Sequence, residues 1–120
     1  MASHNQLGKS GEELAAAWLK QNGFELMHQN WRYSHYEIDL VAKKNNVLHF
    51  IEVKTRQGQR FGRPEESVSK KKIQNLMQAG AAFQERFPGW KRVQYNILSI
   101  NLYTNKEPEY YLIEDVYYWK

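Results

Sequence analysis

The chain has no cysteine among its 120 residues, so it builds neither a disulfide nor a thiolate zinc site, which fits a reducing cytoplasm. Its apolar runs are only a few residues long, far short of the roughly 20 that a helix needs to cross a bilayer. Met1-Ala2-Ser3-His4-Asn5-Gln6 lacks both the basic and the apolar part of a secretory signal, so a cytoplasmic protein without membrane attachment is expected. No glycine-rich loop opens a helix, which argues against a nucleotide cofactor. His4, His28, His35 and His49 are scattered and not set at ligand spacing, which leaves zinc or histidine-nuclease chemistry without a ligand set. His28 in particular has no identifiable partner. No repeat or linker divides the chain, and its length is that of one domain spanning 1–120.

What the chain does contain is enough apolar material for a core, at 42% hydrophobic and 14% aromatic residues. The net charge of +4 favours polyanionic partners, although ordinary soluble proteins also carry such a balance. Ser10-Gly11-Glu12-Glu13 opens a helix with Leu14, Ala15, Trp18 and Leu19 at helical spacing, and Asn22-Gly23 closes it. Ser10 is the expected N-cap and Glu13 its capping-box partner. A strand is expected from about Phe24 to Tyr33. Gln57 to Pro64 reads as a mobile loop. A second helix runs from near Ser69 to about Phe87, its stripe made of Ile73, Leu76, Met77, Phe83 and Phe87, and Pro88-Gly89 ends it. Gly80 falls on that stripe and needs a close neighbour to justify it. Arg92 to Tyr103 alternates as a fourth strand, and Tyr110 to Ile113 begins a fifth. The aromatic cluster Tyr110, Tyr111, Tyr117, Tyr118 and Trp119 suits a core or dimer contact better than base stacking.

The most informative stretch is a hairpin. Tyr36–Ala42 and Val47–Lys54 both read as strands, rich in β-branched and aromatic residues, with Asn45-Asn46 as a two-residue type I′ turn between them. That turn sets Lys44 opposite Val47 and, counting outward, Asp39 opposite Glu52 and Glu37 opposite Lys54. Period-two alternation then puts Glu37, Asp39, Glu52 and Lys54 on one face and Ile38, Leu40, His49, Ile51 and Val53 on the other. Like charges placed directly opposite destabilise a sheet unless something neutralises them, and a divalent cation with hard oxygen ligands would do so. The plainer reading is a solvated face on which Asp39 and Glu52 pair with Lys54, Arg32 or Arg56.

Asp39 followed by Ile51-Glu52-Val53-Lys54 resembles the D…(D/E)-x-K signature of restriction-endonuclease-like nucleases. Around it stand Gly8-x-x-Gly11-Glu12-x-x-Ala15, Gly23-Phe24, Asn30-x-Arg32 and Glu37-Ile38-Asp39-Leu40-Val41-Ala42. Thr55-Arg56, Phe61-Gly62-x-Pro64-x-Glu66-Ser67-Val68 and Lys72 follow. This ordered set resembles the YraN family, a bacterial group similar to archaeal Holliday-junction resolvases, closely over about the first two thirds of the chain. Two positions depart from the pattern: Ile38 stands where the superfamily often has Pro, and Tyr36 where the family commonly has Gly.

The resemblance implies an α/β restriction-endonuclease-like domain, a mixed central sheet flanked by helices in the order α-β-β-β-α-β-β. It implies a Mg²⁺- or Mn²⁺-dependent endonuclease hydrolysing phosphodiester bonds of DNA, branched (Holliday-junction-like) or single-stranded. In that reading Asp39, Glu52 and the Val53 carbonyl hold the metal. Lys54 orients water or stabilises the transition state, and Glu12 assists from its helix as a further catalytic carboxylate. Its alternative is a favourable contact with the helix dipole. Glu37 would bind through water or a second metal. Arg32, Arg56, Arg60, Arg63 and Lys72 would grip phosphates, whereas Lys70 and Lys71 read as solvated. Cutting two strands from one site per chain would require a homodimer. The alternative is a nucleic-acid-binding protein of the same fold without efficient cleavage, supporting DNA repair, recombination or uptake. A third reading is a scaffold whose charged face only makes salt bridges.

Overall fold

The computed structural model describes residues 11–57, 62, 64 and 68–116. They form helix α1 (Gly11–Gln21), strands β1 (Glu25–Tyr33), β2 (Tyr36–Lys44) and β3 (Val47–Gln57), helix α2 (Lys70–Arg86), and strands β4 (Val93–Leu102) and β5 (Glu109–Ile113). This is the α-β-β-β-α-β-β order expected from the sequence. The five strands make one sheet in the order β1-β2-β3-β4-β5. Only β3 and β4 are parallel, and they are joined through α2, the kind of long crossover a parallel pair requires. Ser10 and the Gln57–Pro64 loop lie wholly or largely outside the described residues, as do Tyr117, Tyr118 and Trp119.

The helices cover opposite faces. Against α1 pack Leu40, Ala42, Ile51, Leu98 and Ile100, and against α2 pack Val41, Leu48, Phe50, Tyr95 and Ile97. The α2 stripe buries Ile73, Leu76 and Phe83, while Phe87, the C-cap, stays 41% exposed beside Phe83. His28, which has no partner evident in sequence, sets its ring edge-on to Phe83. Gly80 meets the condition that its position demands. A Cβ there would come within 2.7 Å of Tyr95 Cε1 and 3.0 Å of Phe50 Cδ2. Gly80→Ala is therefore expected to destabilise by about 1–3 kcal/mol, the overpacking penalty exceeding the gain in helix propensity. Chemical denaturation checks this, and a variant as stable as the parent would show that the rings simply shift aside.

Strand β4 forms within the stretch that reads as a fourth strand. Its polar and apolar residues alternate, but both sets are buried from Tyr95 to Leu102, because a strand covered on both faces has no wet side. The buried amides are spent on partners. Asn96 Nδ2 lies 2.9 Å from His49 Nδ1, and Asn96 Oδ1 accepts from the Asp115 N–H at 3.0 Å. His49, whose basicity is lowered chiefly by burial, is thus a core residue held edge-on to Phe24.

Candidate functional site

The hairpin turn forms as its sequence requires, with Asn45 and Asn46 at φ of 54° and 64°. Lys44 faces Val47, and the register runs outward to Leu40 opposite Ile51. There the ladder ends, so Asp39–Glu52 and Glu37–Lys54 do not become regular cross-strand pairs. Beyond Leu40, β2 continues with β1, pairing Ile38 with Trp31. The intervening residue of β1, Asn30, adopts φ 53°, a left-handed conformation that asparagine tolerates. Ile38 lies in the cluster under α2, and not on the face of Leu40 and Ile51 as simple alternation requires.

The gap between β2 and β3 is occupied by chemistry. Asp39 Oδ2 accepts the Val53 N–H at 2.8 Å, replacing the ladder bond that β3 would otherwise have made. A residue in a strand sends its N–H and C=O to the same side, so the Val53 carbonyl also leaves toward this gap. Glu12 stands in the first turn of α1, near enough for its charge to act on the same carboxyl group. Gly11 makes that approach possible, because a Cβ there would collide with Thr55 Cγ2 on β3.

Asp39, Glu52 and Glu37 line one cleft of about 350 Å³ together with His35, Tyr36, Asn75, Leu76 and Gln78. Glu37 is paired with Arg32 at 3.3 Å, with side chains 48% and 69% exposed. Such a pair contributes at most about 1 kcal/mol. Glu52 is paired with Lys72 at 3.5 Å, bridging β3 to the first turn of α2. The nearby Lys72 charge lowers the Lys54 pKa. Arg56 lies one alternation further along β3 and donates from Nε to Asn101 Oδ1 at 3.0 Å. Arg60 and Arg63 lie outside the described residues.

Comparison with known proteins identifies the family. The model of "Uncharacterised protein family UPF0102" matches residues 11–102. A UPF0102 protein of Bacteroides thetaiotaomicron is 42% identical over 100 residues, 83% of each chain. One of Flavobacterium johnsoniae is 40% identical over 105 residues, covering 84% of this chain and 85% of the relative. One of Parabacteroides distasonis is 35% identical over 120 residues, 98% of this chain and 97% of the relative. The chain belongs to the UPF0102 family. This is the YraN group that the motif resembles, and the UPF0102 fold is restriction-endonuclease-like. The matched span contains Glu12, Asp39, Glu52, Lys54 and Lys72.

Some cleft residues of this UPF0102 chain escape a motif search. Asn75 and Gln78 follow Lys72 at three-residue intervals on α2, a polar stripe beside the buried one that helical periodicity could have shown. His35, in the β1–β2 turn, carries no such signal.

The Asp39 carboxyl is pushed up to about 6, first by burial and then by Glu12 and Glu52, with the Val53 N–H opposing. A carboxyl raised above its unfolded value of about 3.9 holds its proton more tightly in the folded chain. The associated stability is complete below that value and is lost as pH rises through about 6. Asp39→Asn keeps an acceptor for the Val53 N–H but cannot ionise. It is expected to stabilise the protein by about 1–2 kcal/mol near pH 8, after allowance for partial exposure, and by almost nothing near pH 4. Thermal melts at the two pH values test this, and an equal gain at both would remove ionisation as the cause.

Proposed function

We propose that this UPF0102 protein is a divalent-metal-dependent nuclease acting on DNA, with Asp39 and Glu52 as metal ligands. The observation that carries the reading is the half-buried Asp39 carboxyl, tied to the Val53 N–H, under the charge of Glu12 and sharing a cleft with Glu52. Such a concentration of acids destabilises the metal-free fold and gains its purpose from a cation. Among the described residues no three acidic or imidazole side chains are gathered as a ready-made metal site. Two carboxylates, a backbone carbonyl and water nevertheless suit magnesium, which keeps several waters and rarely takes a full protein cage. An all-oxygen donor set also favours Mg²⁺ or Mn²⁺ over zinc. When bound, the metal supplies charge neutralisation at a phosphate and lowers the pKa of a water.

The chain's own residues do the rest. Val53 fixes the Asp39 carboxylate through its N–H, and the Asp39 carboxyl, pushed up to about 6, would have to lose its proton to hold a cation. Binding should therefore weaken as pH falls through about 6. Lys54, at the end of the Glu52-Val53-Lys54 run, is suited to orient the attacking water or stabilise charge on the phosphorane-like transition state. Arg56 follows Lys54 by two residues on β3, and Lys72 in the first turn of α2 pairs with the cleft residue Glu52, so phosphates flanking the scissile bond would be held by charge and shape and not by base identity. Purified protein tested on duplex, single-stranded, flap and four-way-junction DNA, with Mg²⁺, with Mn²⁺ and with chelator, should show cleavage only with metal. DNA binding without cleavage of any substrate would favour a non-catalytic DNA-binding role.

A further inference from the structure

The lysine run that opens α2 contradicts the ordinary electrostatics of a helix. Lys70, Lys71 and Lys72 occupy the first turn, which contains no acidic residue, so three ammonium groups stand at the positive end of the helix dipole. A half-exposed pair does little to offset this, with Lys72 and Glu52 side chains 39% and 24% exposed. Local rules broken without a matching gain in stability mark functional positions. The backbone of Lys72 is fixed, because its N–H donates to the N-cap Ser69 Oγ at 3.2 Å. Only its four-carbon side chain is free to move.

Its resting position is informative. Lys72 Nζ lies 3.5 Å from Glu52 Oε2, so an ammonium group already neutralises that carboxylate. A divalent cation brought to Glu52 would be repelled by an ammonium already there, at a separation where charges interact strongly. Resting on the metal-site reading above, we propose that Lys72 is a displaceable counterion: it neutralises Glu52 in the metal-free protein, and cation binding releases it to a phosphate of bound nucleic acid. The device would keep the acidic cluster folded without metal and couple loading of the cation to the grip on substrate. Lys72 is in this sense a positioning and binding residue, and it does not contact the reacting atoms.

The test is calorimetric titration of the full chain with Mn²⁺ alone, comparing the parent with Lys72→Met and Lys72→Arg. Removal of the competing ammonium should tighten Mn²⁺ binding by about fivefold or more, whereas Lys72→Arg should bind like the parent. In a parallel measurement on four-way-junction DNA, non-cleaving Ca²⁺ should strengthen binding by the parent more than by Lys72→Met. Mn²⁺ binding by the parent with unchanged or weaker binding by Lys72→Met would overturn the displacement while leaving the metal site intact. No Mn²⁺ binding by any of the three would overturn the metal site, and the displacement with it. Should Lys72→Met fail to fold, Lys72→Gln decides by the same comparison.

Discussion

Asp39→Asn and Glu52→Gln are each expected to abolish metal-dependent cleavage, lowering single-turnover rates by about a thousandfold or more, because a metal supplies several kcal/mol of transition-state stabilisation. The amides are better probes than alanine. Asp39→Ala would leave the Val53 N–H without its acceptor, at a cost of about 1–3 kcal/mol, and so confuse folding with chemistry. Glu52→Gln removes the charge paired with Lys72, a half-exposed interaction worth at most about 1 kcal/mol, so it should fold like the parent. Both variants should bind DNA in chelator as well as the parent does. Cleavage at parental rates by either folded variant would take that residue out of the site.

Lys54→Met separates a catalytic ammonium from a structural one. It keeps most of the aliphatic stem, and Lys72 stays beside Glu52 as a counterion, so stability should change by less than about 1 kcal/mol. The crowding that lowers the Lys54 pKa is relieved as well. If Lys54 acts on charge that develops in the transition state, cleavage should fall by roughly a hundredfold or more with little change in DNA affinity. If it only offsets nearby carboxylates, metal binding should tighten and single-turnover rates at saturating metal should match the parent.

Much of this architecture is legible in the sequence because local rules dominate it. Asn45-Asn46 sets a two-residue turn, and the turn sets the register that runs correctly from Lys44 to Leu40. Ser69 and Phe87 bracket α2 as capping and periodicity require. The end of the β2–β3 ladder at Leu40 is not legible, because there the Val53 N–H goes to the Asp39 side chain and not to a backbone carbonyl. Counting residues outward from the turn therefore assigns Ile38 to the wrong face and gives Glu37 a partner on β3 when its actual partner is Arg32 on β1. The acidic residues of the cleft are named by the motif, but their hydrogen-bond partners are not. The Val53 bond to Asp39 and the Lys72 pair with Glu52 join residues 14 and 20 positions apart in different elements, and no periodicity reports such contacts. Similarly, the sequence of β4 does not report that Asn96, Ser99 and Asn101 are all buried, because coverage by two helices is a property of the whole sheet.

The central claim is that the gap between β2 and β3 holds a divalent cation between Asp39 and Glu52. Anomalous diffraction from crystals of the full chain grown with Mn²⁺ addresses it directly. The expected result is a single strong peak about 2 Å from one oxygen of each carboxylate, with the Lys72 ammonium moved away from Glu52. A peak at some other surface carboxylate with this gap unoccupied, or Lys72 still paired with Glu52 at saturating Mn²⁺ and no peak beside it, would contradict the account.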